Sequence, residues 1–99
     1  MNNPRLAGRY AKSIIDLAIE QKQLEAVFAD MKLLKQVCKS NPDFVTLLKS
    51  PVIASDKKLS IIDAILKDKI TQLTHLFVRL LINKSRESNL PEITNAFIE

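Results

Sequence analysis

Apolar residues recur along most of the chain at three- and four-residue intervals, and nowhere do apolar and polar residues alternate over a useful length. The pattern therefore predicts helices and argues against strands. Asn3 is placed to cap a first helix that carries Pro4 in its opening turn, where a missing N–H costs nothing, and that runs to about Gln21. Leu24, Val27, Phe28, Met31, Leu34 and Cys38 set the inward face of a second helix, with Lys32, Lys35 and Lys39 opposite. Asn41-Pro42 repeats the cap-and-proline signal. The second helix therefore ends near Ser40, and a short third helix with Phe44, Leu47 and Leu48 begins there. Pro51 stops it, because the residue before a proline avoids the α region. Ser55 or Asp56 caps a fourth helix with Leu59, Ile62, Ile65 and Leu66 inward, and Thr71 caps a fifth, "QLTHLFVRLLINK". After a polar break at "SRESN", Pro91 opens a sixth, with Ile93 and Phe97 one turn apart. The expected architecture is all-α, a compact six-helix bundle in which residues 1–99 form a single helical domain with short connections.

Two of the six helices carry more apolar surface than one core contact requires. On a wheel of roughly 100° per residue, Leu6, Ala7, Tyr10, Ala11, Ile14, Ile15, Leu17 and Ala18 cover about half the circumference of helix one. A helix packed against one core needs a stripe only somewhat wider than about 100°. Helix five repeats the excess. Ile70, Leu73, Leu76, Phe77, Leu80 and Leu81 make a stripe about 140° wide, and Val78 and Ile82 extend it to roughly 240°. Either these two helices are central and covered on several sides, or they lie side by side and present an apolar groove to a helix of another protein.

Composition narrows the class. Of the 99 residues, 46% are apolar and 26% charged, which supports a packed core rather than disorder, and a single glycine with four prolines suits helices. The net charge of +4 would suit an anionic partner, but lysines dispersed among acids also make an ordinary surface. Cys38 stands alone, so no intramolecular disulfide can form, and a reducing compartment is compatible. No apolar run approaches the roughly 20 residues that span a bilayer, and "MNNPRLAGRY" has no apolar core of a secretory signal.

Catalytic, cofactor-binding and metal-binding residues are each expected to be none. Gly8 is the sole glycine, so no phosphate-cradling loop can be built. His75 and Cys38 fall on different helices without clustered carboxylates, short of a metal site. His75 reads as a partly exposed residue on the polar side of helix five, and Cys38 as a small inward hydrophobe. Asp63 and Asp68 read as surface charge and Asp56 as a cap. The lysines at 32, 35 and 39 form a stripe, yet no aromatic interleaves them as nucleic-acid stacking would require.

"RYAKSIIDLA" from Arg9, "SPVIASDKK" from Ser50, and the spaced set Arg86, Leu90, Ile93 and Phe97 together resemble the N-terminal domain of the F-type ATP synthase delta subunit, the OSCP family. The resemblance covers essentially the whole chain, and the arginine-tyrosine-alanine opening is its most specific part. It departs at Ser13-Ile14-Ile15, where relatives more often carry a small residue, then leucine and an aromatic. It implies a non-catalytic stator, or peripheral-stalk, subunit that holds the catalytic head against rotation and so supports proton-driven ATP synthesis. The implied partners are the N-terminal helix of an ATP synthase alpha subunit, seated between helices one and five, and a b-type stalk subunit gripped by a C-terminal domain that would follow Glu99. The chain would then be the N-terminal part of a longer polypeptide, peripheral at the cytoplasmic face of the bacterial inner membrane.

The periodicity and the resemblance meet on one surface, which nominates Tyr10, Ile14 and Leu17 on helix one and Phe77, Leu80 and Leu81 on helix five as partner-binding residues. Some of the six are expected to point into the bundle instead. Arg79 and Lys84 are candidate rim charges that would steer acidic residues of a partner. The alternatives are a helical adaptor domain of another complex and a basic nucleic-acid-binding domain, the latter with affinity falling steeply with salt.

Overall fold

The computed structural model describes residues 4–98 and contains six α-helices among them: α1 (Pro4–Glu20), α2 (Leu24–Ser40), α3 (Pro42–Lys49), α4 (Ser55–Leu66), α5 (Gln72–Asn83) and α6 (Leu90–Ile98). The polar "SRESN" break is structured as a 3-10 turn, Glu87–Asn89, leading directly into α6. The predicted Asn3 cap lies outside the described residues.

Among the described helices, side-chain caps form at the starts of α3 and α5. The Asn41 side chain accepts from the Phe44 N–H at 3.3 Å, and Thr71 Oγ1 accepts from the Thr74 N–H at 3.2 Å, so both predicted caps form. At α4 the expectation fails. The cap position belongs to Ala54, which places Ser55 and Asp56 one and two residues inside the helix, and the Asp56 carboxylate accepts instead from the Lys57 N–H at 2.9 Å. Asp56 still lies in the first turn, where its charge favours the helix dipole. With the one glycine spent inside α1, three helices end on side-chain-bearing residues of positive φ: Lys22 at 57°, Asp68 at 62° and Ser85 at 58°. At two of them the chain turns back on itself to reach a carbonyl five residues earlier, Gln23 N–H to Ala18 and Arg86 N–H to Leu81.

The inner helix is α6, packed against both α1 and α2. The alternative in which helices one and five are covered on several sides holds in part: α5 buries Leu73, Phe77, Val78, Leu81 and Ile82, whereas α1 buries a single narrow face. Its core-facing positions are Ala7, Ala11, Ile14 and Ala18, and three alanines let α6 approach closely. The bulkier apolar residues of α1 are displaced to its two flanks. Leu90, Ile93 and Phe97 of α6 and Val27, Met31 and Leu34 of α2 complete this part of the core. Gly8 is exposed on α1, and a Cβ built there would meet nothing within 4 Å, so this glycine serves no close approach.

Two buried polar clusters tie the helices together. Lys58 on α4 donates to Glu87 Oε2 at 2.9 Å and to the Leu48 carbonyl at 3.2 Å, joining α4, the 3-10 turn and the end of α3. Asp30 on α2 accepts through one carboxylate oxygen from the Thr71 N–H, the Thr71 hydroxyl and the Thr74 hydroxyl, at 2.9, 2.7 and 2.7 Å.

Candidate interaction groove

Helices α1 and α5 face one another across an open apolar groove of about 400 Å³. From α1 come Tyr10, Ser13, Ile14, Leu17 and Gln21, and from α5 come Leu73, Leu76, Phe77 and Leu80. Both sets follow the spacing of one helical face, which is why two amphipathic sequences generate a continuous trough. Ile14, Leu73 and Phe77 are buried and form the floor. Leu17, Leu76 and Leu80 form the walls, at 38%, 51% and 42% exposure. The Tyr10 ring meets the Phe77 ring edge-on, with centroids 6.3 Å apart and planes at 66°, a favoured geometry for an aromatic pair.

The far side of α5 fixes its orientation. Thr71 and Thr74 bond to Asp30 on α2, and His75 Nε2 donates to Asp63 Oδ1 of α4 at 2.7 Å. Asp63 therefore bridges two helices as well as contributing surface charge. With these contacts opposite, α5 turns Leu76 and Leu80 toward the groove. None of the nine lining residues is charged. The trough therefore offers a partner apolar area and the hydrogen-bonding groups of Tyr10, Ser13 and Gln21, while a polyanion would find no cation in it.

Of the six nominated residues, Tyr10, Ile14, Leu17, Phe77 and Leu80 line the groove. Leu81 does not: it is wholly buried in the core on the inner face of α5. One residue is 100° of helix, and that step separates Leu80 from Leu81 across the boundary between groove and core. Arg79 is exposed outside the lining, and Lys84 terminates α5. Leu73 and Leu76 of the same stripe also line the groove, and so do Ser13 and Gln21, whose polarity hides them from an apolar pattern. Their signal is spacing, since 13, 17 and 21 form one row along α1. Cys38 is only half-buried, at a separate hollow with Lys35, Lys39 and Lys49, and Lys32 leaves the basic stripe to stand 4.8 Å over the Phe28 ring.

The family model described as ATP synthase delta (OSCP) subunit matches residues 6–99. The chain belongs to this family. It is 40% identical over 97 residues to the ATP synthase subunit delta of Cytophaga hutchinsonii, covering 98% of this chain and 53% of that one. It is 36% identical over 98 residues to the subunit delta of Amoebophilus asiaticus, covering 99% and 53%. With the subunit delta of Phenylobacterium zucineum it shares 40% identity over 93 residues, covering 93% and 50%. The chain thus spans about half the length of the curated relatives it matches. Among the described residues, no helix is long and apolar enough to cross a membrane.

Proposed function

We propose that this delta-family chain is a non-catalytic stator part of an F-type ATP synthase, and that its α1–α5 groove holds the N-terminal helix of an alpha subunit. The observation that carries the reading is the groove itself, an uncharged apolar trough left open between two helices that each pack another face into the core. An exposed trough of this kind suits the apolar face of an amphipathic helix, with anchors at i, i+3 or i+4, and i+7. From Tyr10 to Gln21 it is about 16 Å long at 1.5 Å per residue, which accommodates roughly three turns.

The role is mechanical. A stator must resist the torque that the turning shaft puts on the catalytic head without letting go. Apolar burial contributes roughly 25 cal/mol per Å² and accumulates along the contact, and affinity concentrates in a few central anchors. Leu17, Leu76 and Leu80 are exposed in the free chain and would be desolvated on binding, while Tyr10, Ile14 and Phe77 shape the surface that receives the partner. Because no lining residue is charged, affinity should respond only weakly to salt. The complex would sit on the cytoplasmic face of the membrane, with this chain held there only through its partners.

The test is calorimetric titration of a peptide of the first twenty or so residues of the alpha subunit from the same organism. Heat of binding together with amide resonance shifts on α1 and α5 is expected. Absence of both overturns the reading, and binding that collapses steeply with salt argues for a polyanion site instead.

A further inference from the structure

The two walls of the groove differ in kind. Helix α5 contributes only apolar side chains, Leu73, Leu76, Phe77 and Leu80, while the hydrogen-bonding side chains of the lining, Tyr10, Ser13 and Gln21, all stand on the α1 side. Ser13 also differs from Ser40 on α2 and Ser60 on α4, the other α-helical serines beyond a first turn. Those two turn their hydroxyls back onto the carbonyl four residues earlier, Gln36 at 2.7 Å and Asp56 at 3.2 Å. The Ser13 hydroxyl makes no hydrogen bond among the described residues. Exposed at the edge of the groove, it keeps its donor for whatever enters.

Charge along the same edge is uneven. Arg9 lies one turn before Ser13 on the same row of α1, is exposed, and makes no ion pair among the described residues. Midway, Lys12 and Asp16 neutralise one another at 2.8 Å. At the far end Glu20 is exposed beside Gln21. The α1 edge of the groove therefore runs from a cation to a carboxylate.

A wholly apolar trough would hold a helix without fixing where along it the helix stops, because apolar burial has no direction and a slide of one turn, about 5.4 Å, returns a similar face to the same wall. A hydrogen bond fixes the stop, since it weakens sharply beyond about 3.2 Å. We propose, on the reading of the groove as the alpha-subunit site, that Ser13 sets the register of the bound helix. Its hydroxyl donates to a carboxylate on the partner edge that faces α1, and Arg9 draws the same carboxylate to that end. The partner edge against α5 is apolar throughout. Entry in the reverse direction carries the carboxylate toward Glu20, where like charges repel, so Arg9 and Glu20 together select one orientation. A contact that bears torque must not slip by a turn, and the directional bond prevents it.

The experiment titrates the alpha-subunit peptide into the chain and into its Ser13→Ala and Ser13→Thr variants by calorimetry, and repeats this with each acidic residue of the peptide replaced in turn by alanine. Ser13→Ala is expected to bind about tenfold more weakly, and Ser13→Thr, which keeps the hydroxyl, within about twofold of the parent. The urea midpoint of Ser13→Ala should not fall, because alanine is the better helix former at an exposed position, and this separates loss of a contact from loss of fold. One peptide carboxylate should matter for binding to the parent and not for binding to Ser13→Ala. Equal affinity of Ser13→Ala and the parent overturns the proposal, as does a peptide scan in which no acidic position is coupled to Ser13. Those two outcomes leave the groove reading standing, whereas a parent chain that binds no peptide removes both.

Discussion

Asp30 on α2 holds Thr71, the cap of α5, by two bonds at once: its Oδ2 accepts from the Thr71 backbone N–H at 2.9 Å and from the Thr71 hydroxyl at 2.7 Å. The same oxygen accepts the Thr74 hydroxyl at 2.7 Å. One buried carboxylate thus fixes where α5 starts and how it is rotated, and Leu76 and Leu80 take their place in the groove from that rotation. Asp30→Ala would strip the acceptor from three donors and should cost about 2–4 kcal/mol. Thr71→Ala, which loses the cap as well as one of those bonds, should cost about 1–2 kcal/mol. Urea denaturation of both variants measures the two losses. Near-neutral effects would mean that the network contributes nothing net.

Leu80 and Leu81 separate groove from core. Leu80 is 42% exposed and lines the trough, whereas Leu81 is fully buried. Leu80→Asp should leave the denaturation midpoint within about 0.5 kcal/mol of the parent while abolishing binding of the alpha-subunit peptide. Leu81→Ala should cost about 2–5 kcal/mol and leave peptide affinity nearly unchanged in whatever fraction remains folded. Reversed outcomes at the two positions would place the partner on the other face of α5.

The helices and their order could be read from periodicity because each has one apolar face, and because Asn41 and Thr71 carry their capping chemistry within four residues of sequence. Surplus apolar surface on helices one and five fits burial on several sides as well as an open groove, and only the exposure of Leu17, Leu76 and Leu80 separates the two. Sequence patterning could not separate Leu80 from Leu81, since both are leucines within one broad stripe and only the placement of α2 and α4 sets the rotation of α5. Nor could it find the long-range pairs. Lys58 and Glu87 are 29 residues apart, and each alone looks like ordinary surface charge. Asp56 shows the reverse error: a good capping residue sits two positions inside the helix because Ala54, held extended, takes the cap position.

Lys58 and Glu87 are both nearly inaccessible, at 6% and 9% side-chain exposure, and Lys58 also donates to the Leu48 carbonyl. Removing one partner leaves the other charge buried without its counter-ion. Glu87→Ala should therefore cost about 3–5 kcal/mol. Replacing both, as Lys58→Met with Glu87→Leu, should recover most of that loss, because two apolar chains avoid the desolvation penalty. A double-mutant cycle by chemical denaturation measures the coupling. Additive losses would show that the two charges do not act as a pair.

Burial pushes the Cys38 thiol up to about 11 from an ordinary value near 9, and the charge of nearby Glu92 adds to the effect. The folded chain therefore holds its thiol proton more tightly than the unfolded chain does. Between about pH 9 and pH 11 the unfolded state binds fewer protons, so stability falls as pH rises through that window and is insensitive to Cys38 below it. Cys38→Ala should remove this component of the alkaline stability profile and leave the profile below pH 8 unchanged. At pH 8 the native thiol should react with a maleimide about a hundredfold more slowly than the same thiol in denaturant, since only the thiolate attacks. Glu92→Gln removes the repelling charge and should speed the native reaction, while burial keeps it below the denatured rate. A native rate equal to the denatured one would mean that neither burial nor Glu92 controls this thiol.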